Sequence, residues 1–437
     1  MLPPSIAANA LPLTLNSCKH HNHSRIDRAS GYMFSLGALN IMQTGIIEPS
    51  PPTAGIRDRS PHHFVFVDAL RGLAILGVAA FHCGAAIEPM PGRLKRFTDY
   101  GMHGVQLFFV ISAFTLFSSL HTRTTADRKP IHAFFTRRLF RIAPLFWTGL
   151  LFYLWYPGPW RAMYAPNGVG WPQILTTFCF VHGWYPTTTN SVVPGGWSIG
   201  AEVMFYLCLP LLFRRITSLN AAMWLVLATI AMAITGPRVG EVIARLFPAS
   251  WGNLVTLFVY YSFPSQAPAF CLGVVLYFLL VGRPTPAALN ESAGRSNRAA
   301  LYLVAATFVM FVGIPNHIRF SIGFVLLACG LAAKPMRLLV NRATQYVGRI
   351  SYSVYIWHFW VLDRVTSRIL TAVHISHSPQ VNGTVQFGVL FGAVLLLSLV
   401  IASASYYLIE TPGQQLGKKL IKSMGWGPGG AADFVGV

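Results

Sequence analysis

The chain has few acidic residues and few charged residues of either sign. Only 13 of its 437 residues are Asp or Glu, and charged residues make up 11% of the sequence. A soluble domain usually carries about 25% charged residues. Hydrophobic residues make up 54% of the chain and form several runs, and these runs are about as long as a bilayer is thick, roughly 20 residues. The composition therefore excludes an ordinary soluble enzyme and predicts a polytopic membrane protein.

Cysteine pairs and internal repeats are also lacking. The six cysteines are scattered and show no Cys-x-x-Cys or Cys/His spacing, so we expect free buried cysteines, with no zinc or other metal site and no redox pair. No internal repeat is evident, and the inverted-repeat pattern of many transporters is therefore not visible.

Basic residues are abundant, with 33 Lys and Arg and a formal net charge of +20. Nucleic-acid binding would explain such an excess, but no soluble basic module is present, so we expect no nucleic-acid partner. Basic residues crowd the cytoplasmic loops of membrane proteins, which is the more general explanation. A third interpretation is that some of the arginines bind an anionic substrate.

Hydropathy predicts an all-α membrane bundle of about ten transmembrane helices. The predicted spans are 64–87, 103–121, 140–157, 198–213, 221–236, 256–281, 299–314, 318–333, 350–370 and 385–409. Lys and Arg concentrate in alternate loops, for example 123–138, 214–215 and 334–349. The positive-inside rule then predicts that both termini are cytoplasmic.

The regions around the spans differ in composition. Residues 1–60 have little periodic pattern and are interpreted as a disordered cytoplasmic leader. Residues 61–412 form the membrane domain, and residues 413–437 are interpreted as a cytoplasmic tail. The segment 171–186 is apolar but short and bounded by prolines, which predicts a re-entrant or interfacial segment on the outer side. Non-helical backbone at membrane depth must line a cavity or be buried in protein.

Three polar residues lie on the first predicted span. Arg71 and His82 are eleven positions apart, so a helix places them within about 20° on one face and about 16.5 Å apart along its axis. Asp68 precedes Arg71 by one turn and can pair with it. Burying an arginine costs at least ~2.5–3.5 kcal/mol on insertion scales, so such residues often mark a site. Alternatively, Arg71 reaches the interface with Asp68 as its partner, and His82 is a structural histidine.

Two further arginines lie at the start of the third span. Arg138 and Arg141 are three positions apart and share a helix face. Paired guanidinium groups bind phosphate in a bidentate manner. Ordinary positive-inside charge is the alternative explanation.

Later spans carry a carboxylate, a serine and a histidine. Ser198 and Glu202 are four positions apart on one helix face. Glu202 lies in apolar company near the predicted outer side and needs a partner, for which His82 is a candidate. His358 and Glu410 lie at span ends and have either a functional or a structural role.

With these motifs in hand, the chain resembles the membrane-bound acyltransferase-3 family over roughly residues 62–412. The resemblance rests on the Arg-x10-His spacing of Arg71 and His82, on "GVQLFFVISAF" with Ser112, on Arg-x-x-Arg, and on "WSIGAEVMFYL". "ISYSVYIWH" and "YYLIETP" are similar to the closing segments of the family. The sequence departs from the family pattern at Gln106, where an aspartate is common.

The resemblance implies an integral membrane O-acyltransferase, and its detailed roles are expectations. Acyl-CoA, often acetyl-CoA, would donate the acyl group as a co-substrate to a hydroxyl of a carbohydrate such as an O-antigen or exopolysaccharide. The resemblance implies acyl-CoA phosphate binding by Arg71, Arg138 and Arg141, and catalysis by His82 with Glu202. The resemblance also implies supporting roles for Asp68, Ser112, Ser198 and His358.

Several alternatives stay open from the sequence. His82 acts either as a general base or as a transient acyl carrier. The acceptor is a sugar, or else a lipid, an antibiotic or another hydroxyl compound. A proton-coupled transporter or flippase and a catalytically silent membrane protein are the competing classes. The expected partners are the lipid bilayer of a bacterial inner membrane, acyl-CoA and the acceptor.

Overall fold

The computed structural model describes residues 64–282, 316–373 and 378–428, and the regular elements in these ranges are helices. The longer ones are α1 (Val65–Ala85), α2 (Gly92–Tyr100), α3 (Gly104–Thr124), α4 (Pro130–Trp155), α5 (Arg161–Tyr164), α6 (Trp171–Phe178), α7 (Gly196–Arg215), α8 (Leu219–Ala244), α9 (Gly252–Tyr261), α10 (Phe263–Leu280), α11 (Asn316–Ala333), α12 (Arg342–Arg349), α13 (Ser351–Ala372), α14 (Pro379–Ser405) and α15 (Thr411–Ser423). The predicted leader 1–60 and the predicted span 299–314 lie outside the described residues.

Seven helical stretches in these ranges are long and apolar enough to cross a bilayer. They are Val65–Ala85, Gly92–Thr124, Gly196–Arg215, Leu219–Ala244, Ala249–Leu280, Asn316–Ala333 and Pro379–Ser423. The predicted spans 140–157 and 350–370 also coincide with helices, α4 of 26 residues and α13 of 22 residues, but these helices carry more polar residues. The all-α polytopic bundle expected from hydropathy is thus confirmed.

Helix α10 lies at the centre of the bundle. Fourteen of its 18 residues are buried, and it packs against α3, α8 and α11. Phe270 stacks between Phe109 of α3 and Phe205 of α7, with ring centroids 4.3 and 4.6 Å apart. This stack holds α3 and α7 side by side, and both helices contribute to the pocket described below.

The predicted span 256–281 is interrupted in the structure. Ser262 adopts an extended conformation with ψ of 148° and separates α9 from α10. Pro264 lies in the first turn of α10, where its missing N–H is tolerated, whereas inside a continuous helix it would remove a hydrogen bond. Proline therefore explains the break that hydropathy did not reveal.

The chain remains helical after α14 and into the predicted tail. A π-helical turn, Tyr406–Glu410, continues α14 directly into α15. The turn precedes Pro412, which lies in the first turn of α15 and has no N–H to donate to the preceding turn. Two glycines of α15 pack on α4, Gly413 against Pro144 and Gly417 against Phe140. The described part of the predicted tail is thus a helix attached to the bundle.

The segment between α4 and α7 has an interfacial helix and a buried irregular stretch. Trp171, Leu175 and Phe178 lie one turn apart on α6 and are 74%, 56% and 46% exposed, as expected for a short helix at a membrane interface. The irregular stretch 187–195 is buried within the protein, so its backbone meets the requirement for non-helical chain at membrane depth.

His182 attaches this segment to the start of α7. The imidazole is buried, which lowers its pKa, so the ring is neutral. Its Nε2 donates a hydrogen bond to the carbonyl of Gly196 at 2.8 Å. The ring also lies against Gly200, where an added Cβ would come within 3.1 Å of it. His182, which lies outside α7, therefore fixes the position of the first turn of this helix.

Helices α1 and α12 approach so closely that their contact requires glycine. A Cβ added at Gly348 would lie 1.7 Å from the carbonyl oxygen of Asp68, and one at Gly72 would lie 2.1 Å from that of Thr344. Both obstacles are backbone atoms, which cannot rotate away. This contact fixes the part of α1 that carries Asp68 and Arg71.

We expect Gly348→Ala to destabilise the fold by about 1–3 kcal/mol, because the new methyl group must push α1 away from α12. Thermal unfolding of the purified protein in detergent micelles measures the effect. Gly392→Ala is the matched control, since its Cβ would meet no atom within 4 Å, and we expect it to be neutral or slightly stabilising. An equal loss of stability in both variants would contradict the close-contact explanation.

Candidate active site

A pocket with an open mouth lies where α1, α3, α4, α7 and α13 meet, and its cavity volume is about 110 Å³. Its polar lining consists of Arg71, Ser112, Arg138, Arg141, Ser198, Glu202, Tyr206, Ser351, Tyr352 and Tyr355. Six of the nine predicted site residues are in this set. The structure therefore brings together predicted residues from four helices, from Arg71 on α1 to Glu202 on α7.

Arg71 enters the pocket from α1 and is held by two partners. Its guanidinium donates to the Asp68 carboxylate at 3.5 Å and to the Thr115 hydroxyl at 3.2 Å. Asp68 itself is buried. The Asp68–Arg71 pair expected from their spacing is therefore present, and Thr115 of α3 adds a contact that sequence reasoning missed. Thr115 follows Ser112, a predicted site residue, by three positions. Residues with this spacing share a helix face, so the spacing could have identified Thr115.

Arg141 forms an ion pair with Glu410 of the π-helical turn. The Glu410 carboxylate is fully buried and also accepts a hydrogen bond from Ser353 at 3.0 Å. The Arg141 side chain stays 29% exposed and contributes to the pocket wall. The positive charge of Arg141 is thus largely balanced by Glu410. In the sequence, the signal for this ion pair was an acidic residue in the apolar segment "YYLIETP".

Arg138 differs from the other two arginines. In the described ranges no carboxylate lies within ion-pair distance of it, and its Nε is buried without a hydrogen-bond partner. A buried polar group without a partner is unfavourable. Arg138 therefore has no direct ion-pair partner among the described residues, although Glu202 lines the same pocket.

Glu202 lies in the pocket among these arginines. Ser112 donates a hydrogen bond of 2.5 Å to its Oε1, and Tyr206, one turn further along α7, lies beside it. No hydrogen bond or ion pair between Glu202 and His82 occurs in the described residues, so the pairing suggested by the sequence is not formed. The pairing was suggested because Glu202 and His82 were expected at similar depth in the membrane. In the structure, however, the Glu202 side chain points toward α3 and α4.

Ser198 and Tyr355 close the pocket where α7 meets α13. The Tyr355 hydroxyl donates to the carbonyl of Gly195 at 2.9 Å and accepts from Ser198 at 2.8 Å. Gly195 has a φ of +78°, and an added Cβ would lie 2.9 Å from the Tyr355 hydroxyl. Both the left-handed backbone and the close approach require glycine here. Tyr355 is a site residue that the sequence analysis did not identify.

His82 and His358 form a pair beyond Tyr355. Their ring centroids are 5.5 Å apart, and Phe359 packs against both rings at 4.4 and 4.1 Å. His358 is fully buried, with Nδ1 donating to the carbonyl of Tyr355 at 2.8 Å. Neither histidine is part of the pocket lining. The pair lies about three helical turns along α1 from Arg71.

The arrangement thus has two chemical parts, a cationic pocket and a pair of imidazoles next to its wall. Residues 64–403 match the family model described as an acyltransferase domain. The chain belongs to this acyltransferase family. The resemblance inferred from the four sequence motifs is thereby confirmed.

The chain of this acyltransferase is similar in sequence to two named proteins of Staphylococcus aureus. The chain is 23% identical over 404 residues, 84% of its own length, to a Staphylococcus aureus (strain COL) protein named "Putative O-acetyltransferase". It is 23% identical over 393 residues, 82% of its length, to O-acetyltransferase OatA of Staphylococcus aureus strain NCTC 8325. The matches span 60% and 58% of these relatives. No solved structure matches the chain.

We expect Glu410→Gln to destabilise the acyltransferase by about 3 kcal/mol, because it leaves the Arg141 charge without its buried partner. Chemical or thermal unfolding in detergent measures the loss. Glu241→Gln on the exposed face of α8 is the control and should change stability by less than about 0.5 kcal/mol. Adding Arg141→Met to Glu410→Gln should recover part of the loss. Strictly additive losses would contradict the ion pair.

Proposed function

We propose that this protein transfers an acetyl group from acetyl-CoA to a hydroxyl group of a carbohydrate acceptor. The observation that carries the proposal is the arginine-lined pocket, in which Arg138 has no ion-pair partner among the described residues, next to the imidazole pair. Family membership supports acyl transfer, and the printed names of the relatives support an acetyl group and an oxygen acceptor.

The pocket suits the phosphates of CoA. Guanidinium groups bind phosphate oxygens through two parallel hydrogen bonds. Arg138 would provide the main contact, because Arg141 and Arg71 each have a carboxylate partner already. Arg141 retains an exposed part and would add a second, weaker contact. The thioester would then extend past Tyr355 toward His82.

The chemical step at His82 is a general-base reaction. His82 takes the proton of the acceptor hydroxyl while its oxygen attacks the thioester carbonyl carbon. A C–O bond forms, the C–S bond breaks, and the CoA sulfur leaves with the proton that His82 returns. In this proposal Glu202 holds Ser112 and Tyr206 at the pocket, and does not assist His82 directly.

The segment between α4 and α7 supports the proposed acceptor side. It ends at Gly195, where an added Cβ would lie 3.1 Å from the Phe359 ring that packs on both histidines. The segment therefore reaches the imidazole pair. Trp171 and Trp184 in this segment are 74% and 65% exposed, and such rings combine an apolar face with a polar edge, as a sugar ring requires.

The function is tested with labelled acetyl-CoA and membranes that contain the protein. His82→Ala should lower transfer to membrane acceptors by about 10²-fold or more, because it removes the base. His121→Ala, an exposed histidine on α3, is the control. Mass analysis of the labelled product distinguishes glycan from lipid. Undiminished transfer by His82→Ala would refute the mechanism, and acceptor movement without acetyl-CoA would indicate a transporter instead.

Arg138→Ala should raise the KM for acetyl-CoA by about 10- to 100-fold, which corresponds to a hydrogen-bonded charge contact of about 1.5–3 kcal/mol. Arg138→Lys keeps the charge but loses the bidentate geometry, so we expect an intermediate KM. Arg215→Ala, at the exposed end of α7, controls for loss of general positive charge. A KM unchanged by Arg138→Ala would place CoA binding elsewhere.

A further inference from the structure

Within the described ranges, His82 has no hydrogen-bond partner of the kind that a catalytic imidazole usually has. A histidine base is normally oriented by a third group that accepts a hydrogen bond from its other ring nitrogen. The sequence suggested Glu202 for this task, but Glu202 is bonded to Ser112 within the arginine-lined pocket. Among the described residues, the polar side chain packed against the His82 ring is His358.

The hydrogen bond of His358 determines which of its nitrogens carries the proton. Nδ1 lies 2.8 Å from the carbonyl oxygen of Tyr355 and 3.2 Å from that of Val354. A carbonyl oxygen only accepts, so Nδ1 must donate. In the neutral ring Nε2 then carries a lone pair. This nitrogen is buried and has no hydrogen-bond partner in the described part of the chain.

We propose that His358 Nε2 accepts a hydrogen bond from a ring N–H of His82 and thereby orients His82 as the base, an inference that rests on the proposed function. Rings with centroids 5.5 Å apart can bring one nitrogen of each within hydrogen-bond distance. His358 is fully buried and held by its backbone hydrogen bond, whereas the His82 side chain is half-buried. Phe359 packs on both rings and makes their surroundings apolar.

The hydrogen bond would select the reactive tautomer of His82. One His82 nitrogen donates to His358, so the other presents its lone pair to the acceptor hydroxyl. When His82 takes the proton, its N–H becomes a stronger donor, and the bond to His358 strengthens in the transition state. His358 neither gains nor loses a proton. It is therefore a positioning residue, acting where other histidine bases use a carboxylate.

Two substitutions separate this role from a purely structural one. The amide nitrogen of Asn overlaps the position of Nδ1, so His358→Asn keeps the backbone bond but removes the acceptor at Nε2. The longer His358→Gln places an amide oxygen near Nε2 and gives up the backbone bond. If His358 orients His82, His358→Gln should retain more activity than His358→Asn. If His358 has only a structural role, His358→Asn should retain more activity than His358→Gln.

The experiment measures kcat and the KM for labelled acetyl-CoA in membranes with equal amounts of folded protein. We expect kcat to fall roughly 10- to 100-fold in His358→Asn and clearly less in His358→Gln, while the KM for acetyl-CoA stays unchanged in both. His121→Asn and His121→Gln are the matched controls. In His82→Ala, adding His358→Asn should lower kcat no further, because the positioned group is already absent.

The outcomes separate the inference from the function on which it rests. If wild-type membranes transfer no acetyl label, the proposed function fails. If the wild type transfers label but His358→Asn is at least as active as His358→Gln, the positioning role is refuted. The same conclusion follows if His358→Asn lowers kcat independently of His82. Thermal unfolding of both His358 variants verifies that any loss is not a loss of fold.

Discussion

A charged side chain in the interior of a membrane bundle is costly unless another part of the protein neutralises it or hydrogen-bonds to it. Arg71 has Asp68 and Thr115, Arg141 has Glu410, and Glu202 has Ser112 in a field of positive charge. The Thr115, Glu410 and Ser112 contacts each join helices that are distant in sequence, whereas Asp68 and Arg71 lie one turn apart on α1. Arg138 has no ion-pair partner among the described residues.

Backbone features position these groups. Glycines at Gly72 and Gly348 allow α1 and α12 to touch, and Gly195 allows the chain to turn beneath Tyr355. The π-helical turn before Pro412 places Glu410 in the interior. Such irregular backbone positions are frequent at functional sites. In this protein they occur where a charged or polar side chain must meet a partner on another helix.

Periodicity and hydropathy predicted the helical architecture and the shared face of Arg71 and His82, because these features follow from local spacing. The family resemblance, together with the spacing of polar residues, indicated six residues of the pocket. The partners of Glu202 and Arg141 could not be derived in this way, because they depend on which face each helix turns toward its neighbours. The interruption at Ser262 and the continuation through Tyr406–Glu410 depend on prolines that hydropathy averages out.

The position of Glu410 has a consequence for the biogenesis of the protein. The chain is synthesised from its N-terminus, so Arg141 enters the membrane long before its partner carboxylate exists. Until that segment has been synthesised, Arg141 has no access to this carboxylate. The ion pair, and with it this part of the pocket wall, can therefore form only after synthesis has passed residue 410.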